Sequence, residues 1–322
     1  MRDYRVAFWN IENLFDSAGS TQRSDKLKRV LKNELKGWTK TVLKRKVRQL
    51  ASIIRRMNGG RGPDLLGVCE VENRPVLRLL VDALAPLGRS YDIAHDDTQD
   101  RRGIDVAFIY DKTLFKAEEQ FSHFIVKRTA TRDLFQVNFR TRTRPRRRLI
   151  VIGNHWPSRR GGQYQSEPYR IIAGETLAYF HDRITDIHGE NVAVLAMGDF
   201  NDEPFDRSLV EHALSNRSGT KVKKAKTARF YNLMWPILGD RLGTHYYDNR
   251  AQVLDQLLVS RGLVTGASSL KALPDSVQVL RDRMQNTGTY PAPIRFGRGK
   301  SLNRDGFSDH YPIACTIRLL DP

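Results

Sequence analysis

Residues 192–201 read VAVLAMGDFN and residues 307–319 read FSDHYPIACTIRL. In the first stretch an apolar run ends at Asp199 and Asn201; in the second, Asp309 and His310 come just before one. A short apolar run bounded by turn residues reads as a buried strand. Each stretch therefore sets a carboxylate and a second polar group at a strand tip. Buried strands that end in such pairs are a common frame for metal-assisted hydrolysis.

The pattern recurs along the chain. Residues 4–9 (YRVAFW) read as a strand running into Asn10 and Glu12. Residues 65–71 (LLGVCEV) carry Glu70 near their end, and 149–153 (LIVIG) lead to His155. Asp255 lies inside the apolar run 253–259, where a carboxylate needs a partner. Taken singly, each has a plain explanation: a solvated loop Glu, an Asx turn, a surface ion pair. Recurrence at every tip is what argues for one site.

Strands are also expected at 91–94, 105–110 and 135–139. Between residues 39 and 57, Leu43, Val47, Leu50, Ile54 and Met57 recur at spacings of 4, 3, 4 and 3, the core stripe of an amphipathic helix. Further helices are expected at 75–84 and 169–187. Many strands are not followed by a helix. That favours an α/β fold of two sheets packed face to face with helices outside, over a doubly wound parallel sheet. No linker divides the chain, so residues 1–322 are expected to form a single domain.

The net charge of +18 favours a polyanionic partner, nucleic acid first and anionic membrane second. Basic loops are expected near 140–148 and 217–230, and residues 230–236 and 290–306 are expected as loops on the rim of the site. Cys69 and Cys315 each sit in an apolar run and read as buried and unpaired. No stretch is long and apolar enough for stable membrane insertion, and the N-terminus lacks a leader pattern, so the expected location is cytoplasmic.

Phe8-Trp9-Asn10-Ile11-Glu12-Asn13, Glu70, Gly198-Asp199-Phe200-Asn201 and Ser308-Asp309-His310, taken in that order, resemble the endonuclease/exonuclease/phosphatase superfamily. The resemblance covers nearly the whole chain. It implies a four-layered α/β/β/α sandwich of two mixed sheets and a divalent cation, Mg²⁺ with Mn²⁺ as the alternative. Glu70 would be the main metal ligand, supported by Asn10, Glu12 and Asp309. Asp199 would orient or deprotonate the attacking water, and Asn201 would hold a phosphate oxygen. His310 would contact the scissile phosphate, with Asp255 fixing its ring. His155 would face the phosphate and protonate the leaving oxygen. Asp105 reads equally well as a group that orients His155 and as a strand-end turn.

The family's abasic-site repair enzymes carry Tyr where this chain has His155, and inositol phosphatases carry a Pro-x-Trp-x-Asp-Arg motif that the strand of Asp255 lacks. The resulting expectation is a metal-dependent phosphodiesterase on nucleic acid, with a DNA endonuclease of low sequence specificity as the leading reading. Arg146, Arg147 and Arg148 are expected to bind its substrate. The alternatives are a phosphatase or phospholipase on a small or lipid phosphoester, and a nucleic-acid-binding module without turnover.

Overall fold

The computed structural model describes residues 1–98, 100–127, 131–239 and 242–321. Alternation within each strand sets the layers. In β1 (Arg2–Leu14), Tyr4, Val6 and Phe8 face one way, while Ala7, Trp9 and Ile11 face the other. β1 lies in a six-stranded sheet with β2 (Leu65–Val71), β3 (Tyr91–His95), β4 (Asp105–Asp111), β14 (Leu270–Val279) and β15 (Ile313–Leu319). The strand order is β14-β15-β1-β2-β4-β3.

The second sheet contains β5 (Phe115–His123), β6 (Leu134–Thr141), β7 (Arg148–His155), β8 (Val194–Asp199), β9 (Ser215–Asn216), β10 (Phe230–Asn232) and β13 (Asp255–Val259). Its order is β5-β6-β7-β8-β13-β10-β9. A separate hairpin pairs β11 (His245–Tyr247) with β12 (Arg250–Gln252).

The inner faces of the two sheets share one core. Phe8 and Phe108 from the first sheet meet Phe135, Phe139, Leu195 and Met197 from the second. On the outer face of the first sheet, Trp9, Ile11 and Val68 pack against Leu43, Val47, Leu50 and Ile54 of α2 (Lys40–Ile54) and Leu77 and Leu80 of α4 (Arg74–Ala83). On the outer face of the second, Ile150, Ile152, Val194 and Ala196 pack against Ala173, Leu177 and Ile184 of α5 (Gln163–His188). The four layers are therefore helix, sheet, sheet, helix, as the sequence predicts. Shorter helices are α1 (Asp25–Leu31), α3 (Met57–Gly60), α6 (Gly219–Lys224) and α7 (Arg261–Thr265).

Three edge strands escape the sequence reading: β5, β14 and the two-residue β9. β5 is mostly polar and exposed, and β14 contains Pro274 and breaks register between Leu273 and Gln278. Neither shows the apolar alternation of a core strand, which is usual at a sheet edge. Residues 230–236 are not purely a rim loop, because β10 takes up their first three positions and pairs with β13. Among the described residues, no helix is long and apolar enough to cross a membrane. Cys69 and Cys315 are buried and free.

Close approach of the sheets depends on two glycines in the shared core. A Cβ at Gly153 would lie 2.5 Å from Val106 Cγ1 and 2.9 Å from Phe108 Cζ; one at Gly67 would lie 2.8 Å from Phe8 Cδ2. Overpacking of a filled core costs about 1–3 kcal/mol. Gly153→Ala is therefore expected to lower unfolding free energy by about that amount in urea melts. A stability equal to that of the unsubstituted chain would contradict the packing described.

Candidate active site

Every predicted tip emerges at one end of the sandwich. β7 and β8 run parallel with His155 opposite Asp199, and β13 starts antiparallel with Asp255 opposite the same Asp199. In the other sheet, Asn10 of β1 lies opposite Cys69 of β2, one residue before Glu70. Side-chain bonds then join the sheets. Asn10 Nδ2 donates to Asp199 Oδ2 at 3.0 Å, and His310 Nδ1 lies 2.8 Å from Asp255 Oδ2. His310 Nε2 stands 3.8 Å from Asp199 Oδ2; His155 Nε2 stands 3.9 Å from the same atom and 3.7 Å from Glu70 Oε1.

The backbone is strained where it delivers these groups. Glu12, Asn13, Glu70 and Asn201 hold positive φ values of 50°, 55°, 65° and 52°. Pairing of β1 with β2 shifts register between Asn10 and Leu14, and pairing of β2 with β4 shifts between Cys69 and Val71. Bulges of this kind re-aim a side chain that strict alternation would send to the wrong face. Local bonds hold the strained turns: Asn13 N donates to Glu70 Oε2 at 2.9 Å, and Asn201 N to Asp199 Oδ1 at 2.9 Å. Left-handed conformations at non-glycine residues cost energy and gather at functional sites.

Burial separates the two histidines electrostatically. Burial, with Arg132, Arg102 and His310 nearby, pushes His155 well below its ordinary 6.5, so its ring is neutral. Burial opposes charge on His310 too, but Asp255 and Asp199 outweigh it and raise His310 well above 6.5. Burial also lifts Asp199 to about 7, with His310 pulling it down and Asp255 pushing it up. The result is a buried His310 that favours its charged form between Asp255 and Asp199, next to a His155 that favours its neutral form.

A family model for the endonuclease/exonuclease/phosphatase family matches residues 5–319. The chain belongs to that family. Its members are generally metal-dependent hydrolases of phosphoester bonds. Solved structures with the same fold include an endonuclease/exonuclease/phosphatase family protein from Bacteroides thetaiotaomicron, at 14% identity and TM-score 0.57, over 98% of this chain and 95% of that one. D. rerio TDP2 humanized by 14 mutations matches at 14% identity and TM-score 0.58, over 98% and 99% of the two chains. The human Nocturnin catalytic domain with bound sulfate anion matches at 16% identity and TM-score 0.54, over 98% and 94%. No curated protein matches the sequence significantly.

The donor set suits the family's hard cation. Glu70 and Asp309 are partly exposed, at 14% and 29% of the side chain, and Asn10 offers an amide oxygen that also accepts from Glu12 N at 3.1 Å. Oxygen donors without thiolate fit Mg²⁺ or Mn²⁺. Asp199, Asp255 and His310 also cluster tightly enough to hold an ion. Within this trio His310 Nδ1 is bonded to Asp255 Oδ2 at 2.8 Å.

Glu12 occupies a different position from the one expected of a supporting ligand. Arg295 Nε and Nη2 donate to its Oε1 at 3.0 and 2.7 Å, while the N–H groups of Phe296 and Gly297 donate to Oε2 at 2.9 and 3.2 Å. With both oxygens taken, Glu12 straps the 295–297 loop over the site. Asn201 donates its amide to Trp156 O at 3.0 Å. Asp105 does not orient His155: its oxygens accept from Thr98 and pair with His95 at 3.2 Å, while His155 Nδ1 has no hydrogen-bond partner among the described residues.

Strand direction places Arg146, Arg147 and Arg148, expected to bind substrate, away from these groups. Arg148 opens β7 and His155 closes it, eight residues in all. At about 3.3 Å per residue the two ends lie about 23 Å apart. The arginines thus stand at the far end of the sandwich. Arg148 Nη1 meets His188 there, at 2.7 Å from Nδ1.

Further bonds hold the site together. Thr244 Oγ1 accepts from the N–H groups of Leu254 and Asp255 at 3.0 and 3.1 Å, and its carbonyl accepts from Tyr311 N at 2.7 Å. Ser308 Oγ donates to Asn10 O at 2.6 Å and accepts from His310 N at 3.1 Å. The ring of His245 lies 4.8 Å from that of His310. Apart from Ser308 with His310, the partners are too far apart in sequence for any short pattern to pair them.

Asp255 keeps His310 charged, so Asp255→Asn is expected to lower turnover by roughly 10²-fold or more, the scale of a positioned acid or base. A raised histidine value means the charged form is complete below 6.5 and is lost as pH rises through the folded value. The alkaline limb of the rate profile should therefore move to lower pH in Asp255→Asn. An unmoved limb in a folded variant would remove the couple from catalysis.

Proposed function

We propose that this chain is a divalent-metal-dependent phosphodiesterase acting on nucleic acid, with internal cleavage of DNA at low sequence specificity as the first activity to test. The observation that carries the reading is His310, bonded to Asp255 at 2.8 Å and held 3.8 Å from Asp199, at strand tips shared with Glu70 and Asn10. Hydrolysis of a phosphodiester needs a positioned water, stabilisation of charge on the phosphoryl oxygens and a proton for the leaving oxygen. In its ionised form Asp199 orients the water and takes its proton. The His310 imidazolium hydrogen-bonds the phosphoryl oxygen, and Asp255 keeps it charged and oriented. His155 lies against the same carboxylate as a neutral hydrogen-bond donor toward the leaving oxygen, whose proton then comes from solvent. A divalent cation held by Glu70, Asp309 and Asn10 would supply Lewis acidity toward the phosphate.

Nucleic acid is favoured by the net charge of +18 and by exposed aromatics on segments next to the site. Phe205 is 52% exposed beside Asp206, which binds Arg159, itself a donor to Asn201 O; Tyr247 is 71% exposed at the tip of the hairpin that begins with His245. Aromatic faces of this kind stack on bases without regard to sequence. A phosphatase or phospholipase on a small or lipid phosphoester is the second reading. It gains from the pairing of the arginines near the site with acids, such as Arg102 with Glu34 and Arg132 with Asp100.

Supercoiled plasmid, linear duplex, RNA and a panel of phosphomonoesters separate these readings. Nicking of plasmid in Mg²⁺ or Mn²⁺, abolished by excess EDTA, is expected. Glu70→Ala should raise the Mg²⁺ concentration needed for half-maximal rate, whereas Asp199→Ala should stay inactive at any metal concentration. Phosphate release from monoesters with intact plasmid would favour the second reading, and undiminished activity in EDTA would refute the metal.

A further inference from the structure

The positive charge of this protein is concentrated away from its active site. Residues 140–148 and 217–229 each contain six Lys or Arg and no Asp or Glu. Together they carry two-thirds of the net charge of +18. The first segment joins β6 to the start of β7, at the end opposite His155. The second lies between β9 and β10, and its residues 225–229 flank the last turns of α5 and Arg261, where β13 has already left Asp255 behind. Three inter-strand steps separate β7 from β10, about 14 Å at the usual spacing.

Both segments are built, not loose. Thr141, fully buried, accepts from Arg147 N through Oγ1 at 2.8 Å and donates its own N–H to Arg147 O at 2.9 Å. Arg142 N donates to Leu114 O at 2.7 Å. In the second segment, Ser218 caps α6 and Val222 is buried beneath it, leaving Lys221, Lys223 and Lys224 exposed. Arg140 is matched by Glu118. Arg142, Arg144, Arg146, Lys221, Lys223 and Lys224 have no carboxylate partner among the described residues. Asp321 lines the same depression as Arg144 and Arg146, but its carboxylate is bonded to the N-terminal ammonium at 2.6 Å.

Glu118, Asp182, Asp186 and Glu190 lie beside parts of this surface, but a surface where ordered cations outnumber the acids next to them is still stabilised by a polyanion. We propose that this far end is a second nucleic-acid-binding surface, which grips the phosphate backbone about 23 Å from the residues that cut it. A span of about 14 Å matches about four phosphate steps along one duplex strand. Membrane is the poorer partner: none of the large exposed apolar side chains lies in either segment, so nothing there inserts into lipid. The surface tethers long polymers without reading their bases, and does not depend on which phosphoester the active site hydrolyses.

The test uses the full chain carrying Arg142→Gln, Arg144→Gln, Lys221→Gln, Lys223→Gln and Lys224→Gln, with melting temperature as the folding control. Fluorescence anisotropy with a labelled 30-base-pair duplex across a KCl series reads binding. The affinity is expected to fall at least tenfold, and the salt slope to shrink by about 0.9 for each phosphate no longer neutralised. Hydrolysis of a small chromogenic phosphodiester should be unchanged. Unchanged affinity and slope would overturn the proposal, as would binding to phosphatidylserine vesicles with none to duplex. Loss of hydrolysis on every substrate with duplex binding retained would sink the catalytic reading and leave this one standing.

Discussion

The hydrogen bond between His310 and Asp255 joins the two halves of this molecule. Asp255 is the first residue of β13 in one sheet; His310 stands three residues before β15 in the other. The bond is 2.8 Å long, with side chains 7% and 0% exposed. Removing one partner from a buried charged pair costs about 3–5 kcal/mol, because the other charge is left without compensation. The surrounding bonds fix the pair from both sides. Trp9 Nε1 donates to His310 O at 2.8 Å, and Thr244 holds the N–H of Asp255. The position of the imidazolium is therefore set by the same contacts that hold the sandwich closed at this end.

Strain and packing divide the labour. In the shared core the residues alternate cleanly, and glycine appears where the opposite sheet comes too close for a side chain. At the tips alternation breaks into bulges, and Glu12, Asn13, Glu70 and Asn201 adopt left-handed backbone. A well-packed frame can hold such conformations because the surrounding bonds over-determine them. Glu12 shows how a carboxylate that looks catalytic by position becomes structural: four donors claim it and tie the 295–297 loop to β1.

Much of this was legible in the sequence, and what was not has a physical reason. Core strands β1, β2, β7, β8, β13 and β15 announced themselves because both faces are buried and their runs are apolar. Their tips announced the site, because Asp199, Asp255 and His310 end or interrupt such runs. The partner of Glu12 lies 283 residues away at Arg295, a pairing no spacing rule detects. The location of Arg146 was invisible for another reason: composition shows that charge clusters, but only strand direction shows at which end. The outcome is a division between a site whose arginines are largely paired with acids and a far end where Arg142, Arg144, Arg146, Lys221, Lys223 and Lys224 have no carboxylate partner among the described residues.

The charge state of His310 is where the account is most exposed. Nitrogen chemical shifts of its ring, followed by NMR across pH 5 to 9 in the full chain, read that state directly. The account predicts an imidazolium that persists well above 6.5 in the folded protein, alongside a neutral His155, and that drops toward the ordinary value in Asp255→Asn. A His310 ring that loses its proton at or below 6.5 would contradict it.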